Sequence, residues 1–331
     1  MRTSSVSGGI VLMALTAVLA ALLTAGCGPA PVTGPQPVRL LAVSHGGAVL
    51  YAPDTGLLTG HGRTGARVWQ DRDAAAYGVE VTCLAECPYA AVSQIPAEEA
   101  PPLRPFLLSG TGRAPFPVSP AAHAHVLSAR SAEDAVVEET DDAGRTWIRV
   151  VRPDGSERLP VTHRGFQWVE STDGTAALAY PWQAGSPQDH LLRFARDADG
   201  WRRTAQGPSL AETCVAAAIA AKGECVAGGR AAAVVTRTAT GEGRFHTTVI
   251  GLRTDGGTAW RRDFAAETGV TAHPGEDVIG FADGGTFTAL DSAGDVAWTK
   301  GGVLAARFTS GGELVTLTQN GRVEWHPSGT H

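Results

Sequence analysis

Two stretches near the C-terminus decide the fold: Gly285-Thr-Phe-Thr-Ala-Leu-Asp-Ser-Ala-Gly294-Asp-Val-Ala-Trp298 and Gly312-Glu-Leu-Val-Thr-Leu-Thr-Gln-Asn-Gly321-Arg-Val-Glu-Trp325. Each sets a second Gly nine positions after the first and a Trp four positions further on. The shared unit is a strand, a short turn and a second strand ending in an inward aromatic, the turn Gly supplying the positive φ that tight hairpins require. Gly47 to Gly56 repeats the first half without the Trp. Looser relatives are Gly65 to Trp69, Gly144 to Trp147, Gly200-Trp201 and Gly257 to Trp260. From Trp147 onward these tryptophans are separated by 54, 59, 38 and 27 residues, so the repeat has diverged in spacing.

Elsewhere, short runs of Val, Ile, Leu, Thr and Phe alternate with Gly-Gly, Asp-Gly and Asn-Gly, a pattern of many short strands. The nearest helix candidate is Ala211 to Ala221, whose apolar positions run almost continuously through Cys214 and Ile219. The chain therefore reads as all-β. A hairpin unit recurring about every 40 residues marks a β-propeller, whose small sheets bury their faces by stacking around an axis. Residues 39–331 divided by about 40 to 45 residues per blade give six or seven blades, with seven preferred. The last repeat, Val303 to Trp325, holds three strands where Gly269 to Trp298 holds four. Strand Arg39 to Val43 is expected to complete it, closing the ring by pairing N- and C-terminal strands.

The chain starts with Met1-Arg2, then an uncharged apolar stretch from Ile10 to Leu23, then Thr24-Ala25-Gly26-Cys27. This order describes an export signal over residues 1–26, its apolar part short of the roughly 20 residues a spanning helix needs. Residues 27–38 carry Pro29, Pro31, Pro35 and Pro37 and read as a stiff tether below a domain at 39–331. Two lysines against 25 arginines point to a high-GC, actinobacterial source. A net charge of −6 without a basic block argues against nucleic acid as a partner. Besides Cys27, the cysteines are Cys83, Cys87, Cys214 and Cys225. An even number in an exported protein favours disulfides, and closeness in sequence favours Cys83–Cys87 and Cys214–Cys225 among three possible pairings.

Three family resemblances attach to these residues. Leu23 to Cys27 resembles the lipobox of bacterial lipoproteins, which implies a lipid on Cys27 and a place on the extracellular face of the cell membrane. Thr140-Asp141-Asp142-Ala143-Gly144-Arg145-Thr146-Trp147 resembles the Asp-box of sialidase-like propellers. That resemblance assigns structural roles to Thr140, Asp142, Gly144, Thr146 and Trp147. Val278 to Trp298 is similar to a repeat of quinoprotein-like propellers. All three are motifs of location or architecture, and a fold hosts many functions.

The expected function is a surface-tethered binding or scaffolding propeller for a protein, glycan or small ligand, monomeric and without a cofactor. The alternatives are a sialidase-type exoglycosidase and an assembly factor for an envelope complex. The glycosidase needs an arginine cluster, a Tyr nucleophile with a Glu partner, and an Asp acid/base. Arg104-Pro105-Phe106 does not match the family's first arginine motif, Arg158 comes too late, and Tyr51, Tyr77, Tyr89 and Tyr180 lack a catalytic context. No catalytic residue is therefore assigned. His123-Ala124-His125 lacks a third ligand, and the acidic run Glu138, Glu139, Asp141, Asp142 reads as a solvated strand end and turn, so no metal site is assigned. Trp69, Trp147, Trp260, Trp298 and Trp325 read as packing residues. Trp168 and Trp182 fall outside the hairpin template and are the candidates for exposed recognition. The Gly-Gly pairs match no phosphate-binding loop.

Overall fold

The structure is a computed structural model. It describes residues 38–328 apart from 53–54, 72–77, 82–88, 94–105, 116–122, 132, 171–175, 182–190, 205–209, 222, 241–244, 254, 267 and 310. Cys27, Cys83, Cys87 and Trp182 lie outside the described residues.

The described strands form seven antiparallel sheets, each folded as a meander. Sheet 1 contains β1 (Arg39–Ser44), β2 (Gly47–Ala52), β3 (Leu57–Gly62) and β4 (Arg67–Asp71). Sheet 2 contains β5 (Gly78–Val81), β6 (Ala90–Ser93), β7 (Phe106–Ser109) and β8 (Gly112–Pro115). Sheet 3 contains β9 (His123–Ser131), β10 (Asp134–Thr140), β11 (Thr146–Arg152) and β12 (Gly155–Val161). Sheet 4 contains β13 (Phe166–Glu170), β14 (Ala176–Pro181), β15 (Leu192–Asp197) and β16 (Gly200–Thr204). A helix, α1 (Leu210–Ala221), then precedes sheet 5, made of β17 (Glu224–Gly228), β18 (Ala231–Ala239), β19 (Phe245–Leu252) and β20 (Thr258–Phe264). Sheet 6 contains β21 (Gly269–Ala272), β22 (Ile279–Asp283), β23 (Thr286–Leu290) and β24 (Val296–Gly301). Sheet 7 has three strands, β25 (Val303–Phe308), β26 (Leu314–Thr318) and β27 (Val323–His326).

Strand side chains point alternately to the two faces, so each sheet offers two apolar faces and can cover neither alone. Seven apolar clusters resolve this, each lying between consecutive sheets. Leu107 meets Val126 and Ala135 between sheets 2 and 3, and Val136, Ile148 and Val150 meet Phe166, Phe194 and Trp201 between sheets 3 and 4. Val235 and Trp260 meet Ile279 and Phe281 between sheets 5 and 6, and Phe287 meets Phe308 and Leu314 between sheets 6 and 7. Leu40, Val43 and Leu50 meet Val315, Leu317 and Val323 between sheets 1 and 7. That last cluster closes the cycle, and the fold is a β-propeller. The first strands lie nearest one another around it, β17 beside β21, β21 beside β25, and β25 beside β1.

The closure differs from the strand exchange expected from the sequence. β1 pairs with β2 inside sheet 1, Arg39 opposite Tyr51, and among the described residues sheet 7 keeps three strands. Side chains join the ends instead. Trp325 Nε1 donates to Ser44 O at 3.1 Å and Arg307 to Leu41 O at 2.8 Å. Arg63 donates to Glu313 at 2.8 Å, and Gly65 lies so close to Val323 O that a Cβ there would sit 2.4 Å from it. The apolar sides of β1 and β2 are already matched to sheet 7, so no shared strand is needed to bury them.

The helix also departs from the all-strand reading. α1 fills the space between sheets 4 and 5, where Cys214, Val215 and Ala218 pack against Leu178, Tyr180, Ala232 and Val234. Small Ala side chains let it sit against two sheets at once, which is why its apolar pattern runs nearly all round. A disulfide joins Cys214 of α1 to Cys225 of β17, with Cα atoms 5.6 Å apart.

Candidate functional site

Strand direction sorts the turns onto two rims. Val38 leads into β1 on one rim, which also carries the turns between second and third strands; first-to-second and third-to-fourth turns lie on the opposite rim. The described turns of the opposite rim carry nine acidic residues against three arginines. On the acidic rim Arg63, His45 and Glu313 form one network, with His45 Nδ1 3.1 Å from Glu313. Arg63 holds the Glu313 carboxyl below its ordinary range, burial opposing this and His45 adding to it. Nearby, Arg230 pairs with Asp277 at 3.2 Å.

The eight residues from Thr140 to Trp147 form the β10–β11 turn. Asp141 Oδ1 accepts from Ala143 N at 3.0 Å and Arg145 N at 2.9 Å, while Gly144 N donates to Asp141 O at 2.9 Å. The turn-capping side chain is thus Asp141, one position before the Asp142 that the resemblance assigns; Asp142 is exposed. Gly144 takes φ +78° and Thr140 and Thr146 meet through their hydroxyls at 3.0 Å. Asp291 caps the β23–β24 turn in the same way, accepting from Ala293 N and Asp295 N at 2.9 and 3.0 Å with Gly294 at φ +89°. The motif is therefore turn chemistry shared by several hairpins of this chain: a short acceptor side chain tied to its own turn.

Glu138 and Glu139 are buried, against the expectation of a solvated strand end. Glu138 accepts from Gly165 N and Phe166 N, both at 2.8 Å, and so ties β10 to the start of sheet 4. Glu139, on the other face of β10, is 0% exposed and accepts from Trp147 Nε1. Its Oε2 lies 3.3 Å from Arg149 Nε and 3.9 Å from Arg158, and the Arg158 guanidinium lies 4.9 Å over the Trp147 ring. This Glu139–Arg149–Arg158–Trp147 group is the one the sequence did not bring together. Its signal was the alternation of Trp147, Arg149 and Val151 along one face of β11, with Arg158 directly opposite Arg149 on β12.

The other candidates are structural. Trp168 is half-buried, its ring 5.1 Å from Phe194 and 5.2 Å from Trp201, so it packs where an exposed recognition residue was expected. Tyr180 is buried beside α1, and burial first and Glu224 second push its hydroxyl up to about 12, leaving it protonated at neutral pH. His123 and His125 stand opposite Thr140 and Glu138 on β9. Among the described residues no three His, Cys, Asp or Glu side chains are grouped to hold a metal ion. The arginine pair sits on third and fourth strands, away from the axis.

No protein-family model matches the chain, and no curated protein matches it significantly. Solved structures that are similar include streptogramin B lyase, at 12% identity over 89% of this chain and 94% of that one, TM-score 0.36. TolB from Acinetobacter baumannii is similar at 13% identity over 96% and 71%, TM-score 0.37. BBS1N in complex with ARL6DN follows at 12% identity over 92% and 95%, TM-score 0.39. At such identities and scores none of them lends this chain an activity.

Proposed function

We propose that this chain is a propeller held at the outer face of the cell membrane by a lipid on Cys27, and that it binds a protein partner on the rim turned away from the membrane. The supporting observation is that the chain enters β1 on one rim while the described turns of the opposite rim carry nine acidic residues against three arginines. The chain reaches β1 through Val38, and a short tether from residues 27–38 holds that rim toward the lipid surface. The described turns of the opposite rim carry an excess of acidic residues, so an anionic surface repels them and a basic partner is drawn to them. Two acyl chains on Cys27 supply stable anchoring, which one chain does not.

The test is in-cell crosslinking and pull-down, comparing wild type with Cys27→Ala and with a variant carrying Asp277→Asn, Asp291→Asn and Asp295→Asn. The reading expects Cys27→Ala to move the protein from the membrane fraction to the soluble fraction. It expects the rim variant to stay membrane-bound and lose the partner. A partner retained by the rim variant, or Cys27→Ala remaining in the membrane, overturns the corresponding half of the proposal.

A further inference from the structure

Most charged groups of the propeller are balanced by a neighbour, as in Arg145–Asp141, Arg196–Asp134 and Arg237–Glu224. The group on the sheet-2 face of sheet 3 is not. Val136, Ile148, Val150 and Leu159 turn toward sheet 4, so alternation sets Glu139, Trp147, Arg149 and Arg158 on the face toward sheet 2. Among the described residues, two guanidinium groups there share one carboxylate, leaving an excess positive charge.

Arg149 is 7% exposed, and its Nε, though 3.3 Å from Glu139, lacks hydrogen-bond geometry. Burial, and beyond it the like charge of Arg158, push the Arg149 guanidinium below its ordinary range against the pull of Glu139. A buried charge left partly unmatched is costly, and a second anion relieves it. Arg158 is more than half exposed and opens the group to solvent. Its guanidinium is held over the Trp147 ring, while Glu139 fixes that ring through Nε1. The donors are thus set in place before any ligand arrives, which lowers the entropic cost of binding.

We propose that Arg149 and Arg158 form a binding site for a small oxyanion, a carboxylate or a phosphate ester. The planar forks of the two guanidinium groups take its oxygens, and Trp147 lies beneath the second fork. Glu139 acts as the positioning residue, aligning Arg149 and Trp147 rather than touching the ligand. The site uses no residue of the acidic rim and no part of the lipid anchor, so it holds or fails independently of both.

Isothermal titration of the purified full chain in detergent at low ionic strength, with sodium acetate in one arm and inorganic phosphate in the other, tests this. Saturable one-to-one binding is expected in at least one arm, and the arm that binds identifies the source of the oxyanion. Arg158→Gln, at an exposed position, is expected to weaken it by about tenfold or more while leaving the melting temperature of the unliganded protein unchanged. If Arg158→Gln lowers that temperature, Arg158→Lys serves, keeping the charge without the fork and losing several-fold in affinity. Cys27→Ala is expected to bind as wild type does. Absence of saturable binding in both arms, or equal affinity in the Arg158 variants, overturns the proposal and leaves the group as an internal staple between strands.

Discussion

The junction of sheets 7 and 1 and the junction of sheets 4 and 5 solve the same problem by different means. At the first, two sheets from opposite ends of the chain meet face to face, Leu317 and Val323 against Leu40 and Leu50. Hydrogen bonds and an ion pair from Trp325, Arg307 and Glu313 hold them in register. At the second, sheets adjacent in sequence are separated by α1, which Cys214–Cys225 ties to sheet 5. Bringing distant segments together costs loop entropy that grows slowly with length, so a matched apolar surface suffices even across some 250 residues. A wider gap needs inserted material instead, and a covalent bond keeps it seated. One junction should therefore respond to lost packing and to acid, the other to reductant.

The largest effect expected is at the closing surface. Leu317→Ala removes a side chain that is 3% exposed and should cost about 2–5 kcal/mol in urea denaturation. Breaking Cys214–Cys225 with Cys225→Ala should cost about 2–3 kcal/mol. Hydrogen exchange should then rise in α1 and β17 while β26 and β27 keep their protection; a uniform rise would mean that the two junctions are not separate. Trp325→Phe keeps the ring but loses the bond to Ser44 O, and about 1 kcal/mol of stability should go with it.

The smallest effect belongs to Arg63→Gln. The pair is partly exposed and solvent-screened, so under about 1 kcal/mol is expected. Its sign with pH is fixed. Glu313 has a lowered pKa in the folded protein, so its contribution is full above the ordinary carboxylate value of 4.5 and is lost as pH falls through the folded one. Arg63→Gln should therefore flatten the stability-against-pH curve at its acid end, and an unchanged slope would remove this pair from the closure.

The contrast between the junctions also explains what the sequence made legible. Gly-to-Trp hairpins were readable because their determinants are local. Gly294 and Gly321 take φ of +89° and +77°, and Gly60 and Gly251 leave room for Trp69 and Trp260 directly across the strand pair. The same locality misled on the frame. Gly285 to Trp298 spans the third and fourth strands of sheet 6, whereas Gly312 to Trp325 spans the second and third of sheet 7. The template repeats a hairpin, and it does not mark where a sheet begins. α1 was legible only as the nearest helix candidate, Ala211 to Ala221, because contact with two sheets, not periodicity, makes it helical. Burial of Glu138 and Glu139 was hidden for a related reason: the partners, Gly165, Phe166, Arg149 and Arg158, lie on other strands and beyond them. In the Thr140 to Trp147 turn the residue types were legible and the acceptor was not, because two adjacent aspartates offer the same chemistry and only geometry selects Asp141.

A double-mutant cycle across the closure tests the account most directly. Leu40→Ala and Leu317→Ala lie in one cluster but in the first and last sheets. If those sheets pack against each other, their stability losses couple by about 0.5–3 kcal/mol. Losses that simply add would contradict a ring in which the last sheet shelters the first.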